Sequence, residues 1–318
     1  MSRTLLVLAA GMGSRYGTDL KQLEAVDDKG HLLIHYSVWE AVKAGFTKII
    51  FVIRREMKDA FIEKFSKSAL NFLDDCDVLI DFVFQDVKNV PEWYVMNPDR
   101  VKPWGTVHAI LCAEPLIQEP FFVINADDFY DTECFARASA MLASNPTTPA
   151  LIAYWLHRTL PPKGKVNRGL CEVGTPLGYG LNRKYRNLEA ITECRGLERG
   201  TDERGCAGAI CDGKFISGST LVSMNTWILP KGIFATMAFA FNEFLLTIED
   251  ELNDEYILSD FMKQYLQAYK KGTQRYIPVA TVSCDWYGIT RKEDLEWVRR
   301  ELDELTTQNP GIPKHIPF

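Results

Sequence analysis

The chain has 318 residues, 47% of them hydrophobic and 25% charged, an ordinary globular composition with enough apolar content for a large core. One elaborated domain, or one domain with an appendage, fits that length. A formal net charge of -6 argues against broad binding to nucleic acid or an anionic membrane, because both need a basic face to release counterions.

The first apolar run ends at Gly11, too short for a secretory signal with its cleavage site and far too short to span a bilayer. No other run reaches membrane length, so the sequence predicts a soluble, cytoplasmic protein. The eight cysteines, Cys76, Cys112, Cys134, Cys171, Cys194, Cys206, Cys211 and Cys284, are scattered, and they read as reduced thiols rather than a disulfide framework. Cys206 and Cys211 are close in sequence but lack a second pair or a nearby histidine, which makes a poor zinc site.

In chain order, residues 4–10, 48–53, 78–84, 121–125 and 150–155 are near-continuous apolar segments, the pattern of strands buried on both faces. Between the first two, Ile34, Val38, Ala41 and Val42 recur at helical spacing, with Gly45 placed to end that helix. Strand, helix, strand in succession predicts a βαβ crossover and a mainly parallel sheet. The segment from Gln85 to Trp104 is polar, proline-broken and aromatic; Trp93, Tyr94 and Trp104 either stack on a ligand or bury themselves beneath the loop. Residues 157–230 read as short strands ("GLCEV", "NLEAITEC", "STLVSMNTWIL") separated by polar loops, among them 195–214, a solvated excursion or a lid. From residue 232 two helices, a strand ("RYIPVATV") and a final helix ("KEDLEWVRRELDEL") follow. With no repeat or linker, the prediction is one continuous α/β unit.

The first strand leads into "LAAGMGSRYGTDLKQL". A P-loop is excluded, since no Gly-Lys-Ser/Thr follows the first glycine at the required distance. The dinucleotide fingerprint fails at its third glycine, where Tyr16 stands and Gly17 comes one place late; it also wants an acid about 20 residues on, where the second strand ends instead in Ile53-Arg54-Arg55. An oxidoreductase using NADP is therefore a minor alternative. A loop wrapping a nucleoside triphosphate fits better: Gly11 and Gly13 let backbone N–H groups approach phosphate oxygens, Arg15 can fork onto them, and Lys21 adds a compact charge. A glycine turn with two solvated cations is the plain alternative.

That stretch resembles the signature of the sugar-phosphate nucleotidyltransferases, with some likeness to cytidylyl- and molybdopterin-nucleotidyl branches. The resemblance implies a Rossmann-like α/β fold of the nucleotide-diphospho-sugar transferase type: a mixed, mainly parallel sheet flanked by helices, with a helical C-terminal extension. It divides the chain into a core at 1–230, with a nucleotide half at 1–130 and an acceptor half at 131–230, and a mainly helical part at 231–318 that completes the same domain. The backbone of Ala9, Ala10, Gly11 and Gly13 would hold the nucleotide, with Arg15 and Lys21 on its phosphates. "PWGTVHAILCA" is similar to the family segment whose Gly-Thr, here Gly105 and Thr106, approaches the base; Thr106 is also a candidate helix cap.

"FFVINADDFY" places Asp127 and Asp128 at the carboxyl edge of a parallel strand, where ligands of open α/β sheets gather. Asp127 matches the family's Mg²⁺ aspartate, with the neighbouring acid and Asp131 left for turn or cap duties. The family's second metal acid lies late, after a tryptophan. In "SCDWYGITRKEDL" that place is Gly288, leaving Asp285 as the candidate second ligand or a plain turn residue. On the acceptor side, "AITECRGLER" stands where the family has a Glu-Lys-Pro strand: Glu193 matches, Cys194 occupies the lysine place, and Arg195 is the substitute cation. Gly169 in "NRGLCEV" and Asn225 in "VSMNTW" complete the candidates, each equally open to a structural role.

The resemblance implies transfer of NMP from an NTP to a sugar 1-phosphate or similar phosphorylated small molecule, with Mg²⁺ as cofactor and pyrophosphate released. A nucleotide-binding module without turnover is the competing class. No motif encodes an oligomeric state, and a homo-oligomer stays open.

Overall fold

The first strand is apolar at every position because both its faces are covered. The computed structural model describes residues 2–11, 24–177, 185–270, 276–289 and 293–308. Its elements are β1 (Thr4–Leu8), α1 (Leu33–Lys43), β2 (Lys48–Ile53), α2 (Lys58–Asp75), β3 (Leu79–Phe84), α3 (Thr106–Cys112), β4 (Phe121–Asn125), β5 (Asp128–Phe129), α4 (Thr132–Leu142), β6 (Ala150–Trp155), β7 (Lys165–Leu177), β8 (Tyr185–Thr201), β9 (Ala207–Cys211), β10 (Lys214–Ser217), β11 (Leu221–Leu229), α5 (Ile233–Thr247), α6 (Leu258–Lys270), β12 (Pro278–Thr281), β13 (Tyr287–Gly288) and α7 (Asp294–Gln308).

One sheet of 11 strands runs in the order β10-β9-β8-β12-β6-β11-β4-β1-β2-β3, with β7 paired to β11 and β8; β5 and β13 form a separate two-stranded ladder. The sheet is mixed: β4, β1, β2 and β3 pair in parallel, as do β12 and β6, and the other pairings are antiparallel. Successive side chains of a strand point to opposite faces. Leu5, Val7, Ile49, Phe51, Phe122 and Ile124 accordingly pack with Ile34, Val38, Phe61, Phe65 and Phe135 of α1, α2 and α4. Leu6, Leu8, Ile50, Val52, Phe121 and Val123 face Val107, Ile110, Phe234, Met237 and Phe261 of α3, α5 and α6. A third cluster joins Tyr36, Phe129, Tyr287, Val298 and Leu302, holding α7 against α1 and the small ladder. Gly45 ends α1 at φ +85, its N–H donating to the Val42 carbonyl at 2.9 Å.

Two sequence expectations change. β3 is the sheet's edge, not a doubly covered strand: Leu79 is 63% exposed and the rest of the strand is half-buried. Two of the supposed short strands are long ones, and residues 195–214 are mostly strand, broken by turns at 202–206 and 212–213. β8 continues to Thr201 and a β9–β10 hairpin widens the sheet, closing through Asp212 and Gly213 at φ +48 and +74. Both positive angles suit the two-residue hairpin turn whose twist matches the strands; charged residues on the outer face of a two-sided strand hid it. Among the described residues, no helix is long and apolar enough to cross a membrane.

The loop before α3 is built as a backbone joint. Trp104 is fully buried, its indole N–H donating to the Val87 carbonyl at 2.8 Å, with the Arg100 guanidinium 3.4 Å above its ring. Its role is packing, while Trp93 remains half exposed. Gly105 has φ +97, and a Cβ there would stand 2.5 Å from the Tyr256 carbonyl oxygen. Gly105→Ala should thus cost about 3 kcal/mol, whereas Gly213→Ala, strained in φ but in open space, should cost about 1–2 kcal/mol. Urea midpoints of the two variants check the ranking, and equal losses would contradict it.

Candidate functional site

The carboxyl ends of the parallel strands stop in step. The Ala9 N–H donates to the Val52 carbonyl at 2.8 Å and the Ala126 N–H to the Leu8 carbonyl at 3.0 Å, so β1, β2 and β4 share one edge. Ala9 and Ala10 are buried there and Gly11 emerges exposed. Gly13, Arg15 and Lys21 lie outside the described residues. The arginines after β2 have local duties: Arg54 pairs with Glu56 at 2.8 Å and Arg55 lies over the Phe84 ring.

The adjacent acids beyond β4 separate in role. Asp127 is half-buried at the edge, its carbonyl accepting the Ile289 N–H at 3.0 Å. Asp128 is buried; its Oδ2 accepts from the Asn125 amide at 2.8 Å and lies 3.0 Å from the Tyr130 hydroxyl. Asp131 caps α4 through the Glu133 N–H at 2.9 Å. The late segment comes to the same place, since Gly288 pairs with Asp128 in the small ladder. A Cβ at Gly288 would stand 2.6 Å from Asp128 Oδ1. The carboxylate of Asp128 thus reaches the position where the family resemblance puts its late acid. Asp285 is exposed and paired with Arg158 at 3.0 Å.

The acceptor candidates meet where β11 changes partner. Leu221–Ser223 pair with β7 as well as β6, whereas Trp227–Leu229 pair with β4 and β6. Between them the register breaks, and Asn225 sits at φ +61. Non-glycine residues rarely adopt that conformation, and it concentrates at functional sites. The strand break opens a cavity of about 80 Å³ lined by Asn125, Asp128, Asn167, Arg168, Gly169, Glu193, Ser223, Met224, Asn225 and Ser259. The Asn225 amide donates to Asn125 Oδ1 at 3.2 Å, so the cavity adjoins the aspartate pair. Gly169 keeps the floor low, because a Cβ there would press on Ile191 at 3.1 Å.

Glu193 accepts from the Ser259 hydroxyl at 2.8 Å, and burial holds its carboxyl above the ordinary 4.5. Arg195 is exposed. The cavity's cation is Arg168, which is buried, donates to the Asn167 and Thr159 carbonyls, and lies 4.3 Å above the Trp286 ring. Burial pulls it down to about 10, so it stays charged at neutral pH. It pairs directly across the ladder with Cys194, the place of the absent lysine.

Thr106 is the first residue of α3, and its hydroxyl accepts the Leu258 N–H at 2.7 Å, tying the start of α6 to the start of α3. Behind it, His108 Nε2 donates to the Asn89 carbonyl at 2.8 Å while burial pulls the ring down to about 4, so it is neutral. Sequence reasoning missed Asn125, Asn167, Arg168 and Ser259. Two had a signal: Asn125 is the polar end of an apolar strand, and Arg168 directly precedes the candidate glycine. A larger cavity of about 540 Å³ between α1 and α7 is lined by Asp27, Asp28 and Asp303 with Arg299; its excess of carboxylates opposes a phosphate.

No family model and no curated sequence matches the chain. Among solved structures, UDP-glucose pyrophosphorylase complexed with UDP-glucose is 19% identical with a TM-score of 0.59, covering 96% of this chain and 100% of that one. The inositol-1-phosphate CTP transferase from T. maritima is 13% identical at TM-score 0.57, covering 95% and 97%. A putative glucose-1-phosphate thymidylyltransferase from Bacillus anthracis is 14% identical at TM-score 0.59, covering 94% and 95%. The chain therefore has the fold of the nucleotide-diphospho-sugar transferases.

A carboxyl whose folded pKa exceeds its unfolded one costs stability above the folded value and nothing below the unfolded one. Glu193→Gln should therefore melt higher than the parent near pH 8, with the gain fading as the pH falls toward about 4. Thermal scans across that range check it; a pH-independent difference would contradict it.

Proposed function

We propose that the chain is a nucleotidyltransferase that moves NMP from an NTP to a sugar 1-phosphate or a comparable phosphorylated polyol, releasing pyrophosphate. The observation that carries the proposal is the meeting of Gly169, Glu193 and Asn225 with Arg168 in one polar cavity beside Asp127 and Asp128. That cavity adjoins the edge from which the glycine loop departs. The solved structures of this fold support the reading through what they are named for: a uridylyl, a cytidylyl and a thymidylyl transfer to a sugar or cyclitol phosphate.

The cavity's lining suits a polyol. Carboxylates of Asp128 and Glu193 accept from hydroxyl groups, amides of Asn125, Asn167 and Asn225 both donate and accept, and Arg168 offers a desolvated cation for the acceptor's anionic group. The acceptor phosphate oxygen attacks the α-phosphorus in line while the bond to the β-phosphate oxygen breaks. Such a reaction needs positioning and charge neutralisation rather than a covalent intermediate. We assign Gly11, Gly13 and Arg15 to the departing pyrophosphate, Lys21 to the α-phosphate, and Gly105 and Thr106 to the base side.

The neighbouring carboxylates of Asp127 and Asp128 suit Mg²⁺. That ion takes one or two carboxylates and fills its shell with water and phosphate oxygens. Asp127 is the ligand we assign, with Asp128 supplying the second negative charge; Asp285, engaged with Arg158, gives up that role. Bound there, Mg²⁺ would supply neutralisation of phosphate charge. Gly288 in the place of the late acid favours, as a second reading, a module that binds NTP without turnover.

Pyrophosphate release measured for each NTP against a panel of sugar phosphates with Mg²⁺ tests the proposal. Asp127→Ala and Lys21→Ala should each lower kcat/KM by about 10²-fold or more. Arg168→Met should raise the acceptor KM while leaving the NTP KM nearly unchanged. Full activity in the Asp127 and Lys21 variants would overturn the mechanism, and NTP binding without turnover on any acceptor would favour the second reading.

A further inference from the structure

The thiols of Cys194 and Cys211 lie 2.9 Å apart, with Cys211 also 3.3 Å from the Arg195 carbonyl. Two sulfurs that close are inside the separation nonbonded heavy atoms ordinarily keep, about 3.5 Å or more, and within a small shift of the bond length of about 2.05 Å. The approach is built by the strands. Between the pairs Val166↔Leu197 and Arg168↔Cys194, one residue of β7 faces two of β8. Gly196 takes φ +76 in that bulge, and its N–H donates to Asn167 Oδ1 at 3.1 Å. A bulge of this kind bends and twists its strand, and here it carries Cys194 to the end of β9, where Cys211 precedes the tight Asp212-Gly213 turn. Both cysteines are half-exposed, so a small reagent reaches them, whereas Cys134 and Cys171 are buried.

We propose that Cys194 and Cys211 form a reversible disulfide that fastens the β9–β10 hairpin to β8. The oxidant is a small-molecule disulfide such as oxidised glutathione. The Cys211 thiolate attacks one of its sulfurs and releases the first glutathione thiol; Cys194 then attacks the mixed disulfide and releases the second. Two protein thiols are oxidised to one disulfide, one glutathione disulfide is reduced to two thiols, and the two protons pass to those thiols. Burial and the neighbouring Cys211 both push the Cys194 thiol up, and Cys194 acts as the resolving thiol once Cys211 carries the mixed disulfide. Because Cys194 stands between Glu193 and Arg195, the bond would stiffen the strand assigned to the acceptor. That consequence rests on the proposed reaction; the bond itself does not.

The test equilibrates the full chain in glutathione buffers of increasing oxidised fraction, quenches with acid, exchanges into neutral denaturant containing iodoacetamide so that buried thiols also react, and maps peptides by mass. The expected result is a linked Cys194–Cys211 peptide that grows with the oxidised fraction, reverts under reduced glutathione, and leaves the other six of the eight cysteines alkylated. Cys206→Ser should not change it, and Cys194→Ser should trap glutathione on Cys211. Eight alkylated cysteines at every ratio, or glutathione adducts on single cysteines of the parent chain without the linked peptide, would overturn the proposal. None of these readouts depends on nucleotidyl transfer.

Discussion

The break in β11 is the constraint on which the rest of the site depends. A strand continuing straight from Ser223 to Trp227 would keep one outer neighbour along its length. Instead β11 leaves β7 and takes up β4, with Asn225 held left-handed between them. The crevice this leaves lies beside the carboxyl ends of β1 and β4, the side on which open α/β sheets bind their ligands. The Asn225–Asn125 hydrogen bond spans it, and through Asn125 the network continues to Asp128, Tyr130 and the Met224 carbonyl. A chain segment in a disfavoured backbone state is thereby fixed from the side of the strand that carries the acids.

The start of α6 ties α3 to β8 in the same way. Its first turn meets α3 where the Leu258 N–H donates to the Thr106 hydroxyl, and β8 where the Ser259 hydroxyl donates to Glu193. One helix start therefore sets the distance between the segment assigned to the base and the carboxylate assigned to the acceptor. Arg168 is the costly element. Burying a guanidinium takes it out of water, and the structure offsets this with two backbone carbonyls, a tryptophan face and the nearby charges of Asp128 and Glu193.

Much of this was legible in the amino-acid order, unevenly. The parallel strands were readable because burial on both faces leaves continuous apolar runs at residues 4–8, 48–53 and 121–125. Strands β7, β8 and β9 carry polar residues on one face and bulges that interrupt alternation, so they read as short strands and loop. The edge position of β3 is a property of pairing that its own sequence does not carry. At the site, Glu193, Gly169 and Asn225 were placed by resemblance, and the structure brings them into one cavity. Arg195 is turned outward by alternation along β8 and the bulge at Gly196, while Arg168 enters the cavity from across the ladder, a placement set by pairing between strands. Asp285 follows the same lesson, since its partner Arg158 is distant in sequence and only the fold reveals the pair.

In the proposed reaction, nucleotide and acceptor meet at the shared edge of β1, β4 and the broken β11. A crystal structure with a non-hydrolysable NTP analogue and Mg²⁺ tests it most directly. The expected density is a triphosphate over the edge beyond Ala10 and Gly11, with its α-phosphate between Asp127 and the Asn125–Asn225 bridge. A nucleotide seated in the larger α1–α7 cavity beside Asp27, Tyr36 and Arg299, with that edge empty, would contradict it.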